Sequence, residues 1–394
     1  MQTGRDLRID FFRGLALVFI FWDHIPHNPL GQVTPRNFGF SDAAEIFVFL
    51  AGYAAVLAYG KLLLRDGYAV ACLRVLRRVW VLYVAHIFLL AVLMGVVFYT
   101  NNHVDSRNFI NEMGLDYFLA NPQQALIDEL LLRFKPNLMD PLPLYVVLLA
   151  GLPLILPLLM RWSFAALALS GALYLCAPGW NLSSHPGGEW FFNPLAWQFL
   201  FVLGGVAARH AQTRPADAPP ATWKSPLFFA AAGYLVFSAV VALSWKVPGL
   251  HDAWMPMVVR DVLYPLDKTD LSPMRLLHFL ALAYCVAVLL PRSDWLTRWP
   301  AREVCRMGMH SLEVFCLSVL LAPLADAVAT LYGLNAVGQV ALACAGVLLM
   351  SALAAWLDLS NRLNQRKPPQ ATPTPVRLAN PGYGVTRTLY RIQP

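Results

Sequence analysis

The chain begins with a segment that has to satisfy two incompatible solvents. Arg8-Ile9-Asp10-Phe11-Phe12-Arg13-Gly14 runs without a break into an apolar stretch that ends Phe21-Trp22-Asp23-His24-Ile25-Pro26. A helix needs ~20 residues to cross ~30 Å of hydrocarbon. A span near 10–29 therefore carries some of Arg13, Asp23 and His24 below the headgroups. Ionisable groups at that depth are costly and mark a functional site by default. At about 100° per residue, Arg13 and His24 differ by only about 20° around the helix, and Asp10 lies about one turn before Arg13. Such a charged stripe has to face protein and not lipid, which requires a bundle around it.

Composition makes the same demand. Of 394 residues, 58% are hydrophobic and 13% charged, with a mean hydropathy of +0.53, whereas soluble domains carry roughly 25% charge. The apolar runs are long and continuous, not short and alternating, so the expected fold is an all-α, polytopic membrane helix bundle. Ten transmembrane helices are expected, near 10–29, 41–60, 79–99, 141–160, 163–178, 191–208, 226–245, 272–290, 309–331 and 335–357. The first resembles a signal peptide in its basic flank but has Asp23-His24-Ile25-Pro26 where a small-residue cleavage site belongs, so it reads as a retained anchor. With the N terminus inside, 22 of the 30 Lys and Arg fall in cytoplasmic segments, which predicts both termini in the cytoplasm. The net charge of +7 is thus a topology signal, and no basic stretch with interleaved aromatics points to nucleic acid. The six cysteines form no Cys-x-x-Cys, and neither a disulfide framework nor a metal site is indicated.

Residues 1–359 read as one membrane domain, and 360–394 as a disordered cytoplasmic tail whose composition cannot bury a core. Two long outer loops, 100–140 and 246–271, hold most of the polar surface outside the membrane, and short interfacial helices are expected in the first. No internal repeat is visible, which counts against a transporter, since many transporters have repeated halves.

Several side chains could carry chemistry. His24 lies ~21 Å along its helix from Asp10, near the outer side, where a neutral imidazole is suited to take a proton from a hydroxyl. A lone histidine usually does no more than bond a neighbouring helix; the charged stripe below it and the acids of the second span favour function. Asp23 is adjacent but points about 100° away. In Ser41-Asp42-Ala43-Ala44-Glu45, capping accounts well for Asp42 and poorly for Glu45, a turn inside an apolar helix. Either acid beside His24 would raise its basicity and fix its tautomer. Arg74, Arg77 and Arg78 are placed i, i+3, i+4 and suit bidentate phosphate contacts, although an inside-positive flank explains them as well. His310 and Glu313 share a face at the cytoplasmic end of the ninth span, as a helix clamp or a site. His278 with Arg275, and His86, rank lower. The tryptophans near span ends are mostly aromatic belt.

The start Arg5, Arg8, Asp10, Arg13-Gly14, the pair Asp23-His24, the run Phe40-Ser41-Asp42-Ala43-Ala44-Glu45-Ile46-Phe47-Val48-Phe49-Leu50-Ala51-Gly52, and the segments Pro141-Leu142-Pro143-Leu144-Tyr145, Phe192-Asn193-Pro194-Leu195-Ala196-Trp197-Gln198 and Ser311-Leu312-Glu313-Val314-Phe315 together resemble the OpgC family. This family is named for succinylating osmoregulated periplasmic glucans and is related to the wider acyltransferase family 3 superfamily of integral-membrane enzymes. The resemblance implies a multi-pass protein of the bacterial inner membrane that takes an acyl group, succinyl by the family's name, from cytoplasmic acyl-CoA to a hydroxyl of a periplasmic glucan or other glycan. It maps an essential first-span histidine onto His24 and an Arg-x-x-Arg contact with the nucleotide end of CoA onto Arg74 and Arg77. Ala51 stands where the superfamily usually has Ser, so no hydroxyl role carries over there.

The expected enzyme is therefore an O-acyltransferase. His24 is its base, with Asp23, Asp42 and Glu45 as the other candidate catalytic residues. Arg74, Arg77, Arg78 and Arg13 would hold the donor, and Asp10, His310 and Glu313 are further candidate site residues. Its partners are acyl-CoA, a glycan acceptor and the bilayer, with no metal. The rival readings are a transporter or flippase for a glycan precursor or small anion, and a non-catalytic partner of a glycan synthase.

Overall fold

The computed structural model describes residues 6–185, 187–215, 222–290 and 294–365. Arg5 and most of the expected tail lie outside these residues, while 360–365 continue the last helix. Among the described residues the chain is helical, with two isolated β-bridges and no strand. Its long helices are α1 (Leu7–Asp23), α2 (Ala43–Asp66), α3 (Tyr68–Asn101), α4 (Pro141–Arg161), α5 (Ser163–Cys176), α6 (Pro194–Thr213), α7 (Pro226–Ser244), α8 (Pro273–Leu289), α9 (Ala301–Met309), α10 (Ser311–Leu331) and α11 (Ala336–Gln365).

Each of the ten expected spans coincides with a helix, and six of these, α2, α3, α4, α7, α10 and α11, are long and apolar enough to cross a membrane. The chain is a multi-pass membrane protein. Two features differ from expectation in ways that matter. The first helix stops at Asp23, because the chain turns at His24 and reaches Pro26 and a positive φ at His27. The expected ninth span coincides with α10, and ahead of it, across a break at His310, the structure adds the short charged, amphipathic helix α9. Helix starts are built from caps. The side chains of Asp6, Asp42, Asn193 and Ser225 accept backbone N–H groups, and Pro opens α4, α6, α7 and α8, where its missing N–H costs nothing.

α1, α2, α3 and α10 form a ring, and α4 and α6 pack against α2. Two crossings are backbone on backbone. A Cβ on Gly14 of α1 would overlap the carbonyl oxygen of Val304 on α9, and one on Gly308 would overlap that of Asp10. Gly52 of α2 and Gly204 of α6 stand in the same relation to Phe201 and Phe49. Small residues at such crossings let apolar helices approach closely where no hydrophobic force drives them together.

Loop 100–140 does contain short helices, at Phe109–Glu112, Asp116–Ala120 and Pro122–Leu130. The last runs down beside α3, where the Tyr83 hydroxyl donates to the Leu130 carbonyl at 2.8 Å. Behind it, His86 of α3 and Glu129 meet at 2.9 Å with neither side chain exposed. His86 thus fastens this loop to the bundle.

Candidate functional site

A cavity of about 440 Å³ opens at the end of the bundle where α1 finishes and α2 starts. His24, Asp23 and Asp42 line it, joined by Lys268 and Asp140 from the two long loops and by Arg36. Phe47, Phe191 and Phe192 supply aromatic wall. The structure thus brings three of the four predicted catalytic residues to one space. Glu45 is not in its wall.

The acids are held as follows. Asp42 Oδ1 accepts from the N–H of Ala44 at 2.8 Å, and Glu45 Oε2 accepts from the N–H of Asp42 at 2.8 Å, so the two acids form a capping box. The expectation that capping explains Glu45 poorly is corrected here, because position N3 is where a capping box needs its glutamate. The remaining oxygens meet cations. Arg275 of α8 lies 2.6 Å from Glu45 Oε1 and 3.2 Å from Asp42 Oδ2, and Lys268 Nζ lies 2.6 Å from the same Asp42 oxygen. Asp42 Oδ2 thus meets two cations at once, which neutralise the carboxylate.

Among the described residues no hydrogen bond joins the His24 ring to Asp42 or Glu45, so their relation is a shared cavity in the case of Asp42 and none in the case of Glu45. Asp23 faces the following loop, where the Thr34 hydroxyl donates to it at 2.6 Å and Arg36 Nε stands 3.6 Å away. One helix turn along from Arg275, His278 Nδ1 meets the Ser41 hydroxyl at 2.7 Å and the Ser41 N–H at 3.2 Å. The i, i+3 pair Arg275 and His278 therefore grips the start of α2 across the helix boundary.

The opposite wall is loop 109–140. Arg107 ties it down through Glu112 and through Asp326 of α10, the latter at 2.8 Å. Asp140, at the start of α4, is raised to about 6 by burial, with Lys135 acting against the shift. Burial likewise lowers Lys135 to about 8.

The predicted donor residues lie at the other end of the bundle. Arg74, Arg77 and Arg78 sit on α3 itself, the first two exposed and the third half-buried. No ion pair or hydrogen bond engages any of the three among the described residues. Arg13 is not with them: its Nη2 donates to Ser311 Oγ. Asp10 is buried against the α9 crossing. His310 occupies the break before α10 and Glu313 is exposed, with no hydrogen bond between them. The cavity wall includes no residue of α3 and reaches no deeper than Ile20, Val48 and Leu144. Leu17, Ala55, Val75 and Leu82 are buried in the bundle between the two ends, and the His24 cavity does not itself reach the arginines.

Sequence reasoning missed Lys268, Asp140 and Arg36. Lys268 and Arg36 had a signal. Both are basic residues in segments expected outside, against the inside-positive bias that most of the cations obey.

No curated protein and no solved structure matches the chain. Residues 5–362 match the sequence model of the family described as OpgC protein, and the chain belongs to that family.

Proposed function

We propose that the chain is a membrane O-acyltransferase that moves an acyl group from cytoplasmic acyl-CoA to a hydroxyl of a periplasmic glucan or other glycan, with succinyl as the group that the family's name favours. The observation that carries this reading is the cavity at the His24 end, where an imidazole with no hydrogen bond among the described residues shares the wall with a carboxylate–ammonium pair, Asp42 and Lys268, and with aromatic rings. Family membership supports it by pointing to glucan modification by a membrane protein. In this reading ten helices cross the bacterial inner membrane with both termini in the cytoplasm, the His24 cavity faces outward, and Arg74, Arg77 and Arg78 face inward.

His24 takes the proton of the acceptor hydroxyl as its oxygen attacks the thioester carbonyl, and returns a proton to the leaving thiolate. Asp42 holds the cavity's charge arrangement, Phe191 and Phe192 offer faces for a sugar ring, and the exposed guanidiniums of α3 take CoA phosphates in bidentate pairs. The thin pantetheine arm passes among the buried aliphatic side chains of the bundle interior to reach the His24 cavity. Purified protein supplied with succinyl-CoA and glucan oligosaccharides tests the reading. Free CoA and a glucan heavier by one succinyl group are expected, whereas a transporter or non-catalytic partner would leave the thioester intact.

A further inference from the structure

We propose that the Lys268 ammonium is a catalytic group of this cavity, placed to meet the negative charge that forms on the acyl carbonyl oxygen during transfer. The inference rests on the acyltransferase reading and adds to it the group that stabilises the transition state.

Acyl transfer needs a donor fixed in advance where the oxyanion will appear, in a site that excludes water. Lys268 is a donor held in advance in the wall of the His24 cavity. Its Nζ sits 2.6 Å from Asp42 Oδ2 and 5.7 and 5.5 Å from the ring centres of Phe191 and Phe192. A lysine stem is flexible, and here three partners hold its head.

The backbone beneath it is held more firmly still. Asp267 caps its own turn, accepting from the N–H groups of Thr269 at 3.0 Å and Asp270 at 2.7 Å. Trp197, fully buried on α6, donates its indole N–H to the carbonyls of Lys268 at 3.0 Å and Thr269 at 3.1 Å. The Asn193 N–H reaches the Thr269 carbonyl at 3.0 Å, its side-chain amide reaches Asp270 at 2.7 Å, and the Tyr174 hydroxyl donates to the Leu271 carbonyl at 2.7 Å. The segment Phe192-Asn193-Pro194-Leu195-Ala196-Trp197 thus converges on one turn, and the side chain which that turn presents to the cavity is Lys268.

The other nearby cations fit less well. Arg36 is half-exposed and stands over Asp23 at the cavity mouth. Arg275 lies behind the wall, engaged by Glu45 and Asp42.

In the step itself, the acceptor oxygen bonds to the thioester carbon as its proton passes to His24, and the carbonyl π pair moves onto oxygen beside Lys268. Collapse restores the carbonyl, breaks the C–S bond, and the thiolate takes the proton back from the imidazolium. Lys268 loses no proton.

The test uses full-length protein in nanodiscs with succinyl-CoA and a glucan oligosaccharide, comparing wild type with Lys268→Met, Lys268→Arg and Lys268→Ala. Lys268→Met is expected to lower kcat by ~10²- to 10³-fold with little change in donor KM. Lys268→Arg should retain much of the rate, and added ethylamine should restore Lys268→Ala saturably, which a purely structural lysine would not show. If Lys268→Met fails to fold, Lys268→Gln, which keeps a donor toward Asp42, is judged by the same criterion. A folded variant without the charge that turns over like wild type, or a loss confined to KM, overturns the proposal alone. Wild type that consumes no thioester overturns the acyltransferase reading and this proposal together.

Discussion

Arg275 closes on Glu45 at 2.6 Å where the carboxylate has no exposure at all. Removing one partner of such a pair leaves an uncompensated buried charge, which costs about 3–5 kcal/mol, whereas a neutral replacement of both can be tolerated. Arg275→Ala is therefore expected to be strongly destabilising, and Glu45→Gln combined with Arg275→Met to recover most of the loss. Thermal unfolding in detergent, followed by tryptophan fluorescence, reads both. A double variant no more stable than Arg275→Ala would show that the geometry of the pair matters beyond its charge.

His24→Ala should abolish acyl transfer and leave the fold nearly intact, since the ring makes no hydrogen bond that the bundle depends on. Removal of a general base typically costs ~10² to 10⁴ in rate. Turnover near that of wild type would remove His24 from the mechanism.

Arg74→Ala with Arg77→Ala should raise the apparent KM for the acyl donor more than it lowers kcat, because contacts far from the reacting carbon contribute uniform binding. The loss should deepen with added salt if the residual attraction is electrostatic. Calorimetry of CoA binding checks this, and unchanged affinity would reduce these arginines to topology signals.

The pH response of the outer loop can be assigned in sign. Burial raises Asp140 to about 6 from an unfolded value of ~3.9, so its protonated form is favoured in the folded protein. Its contribution to stability is fully present below the unfolded pKa and is lost as the pH rises through about 6. Asp140→Asn should therefore gain stability relative to wild type as the pH climbs through this window. Unfolding midpoints taken across it test the assignment, and a wild-type to variant difference that stays constant would contradict it.

The membrane character and the helix positions were legible because hydrocarbon allows few solutions: long apolar runs can only be helices, and a charged stripe can only face protein. His24, Asp23 and Asp42 stand out because charge at depth is rare. Glu45 was misread: its capping-box spacing from Asp42 was there to see, but its partner Arg275 lies 230 positions away in sequence and no local pattern announces that contact. Lys268 showed only as a basic residue in an outer loop, and its place in the cavity was hidden for a related reason. Its placement comes from Trp197 and Asn193, whose motif reads as an apolar helix start until the turn it holds is known. Helix α9 was not expected, because it is short and charged and so leaves no long apolar run.

The glycine crossings have a mechanical consequence. Where carbonyl lies against Cα, sliding or rotation collides at once, so α1 with α9, and α2 with α6, behave as two struts. Elsewhere side chains intervene, as at Phe47 of α2 and Phe315 of α10, whose ring centres stand 6.3 Å apart. Phe47 also lines the cavity. A passage through this bundle would therefore open as a parting between struts at that aromatic contact, leaving the grip on the start of α2 undisturbed while the interior yields.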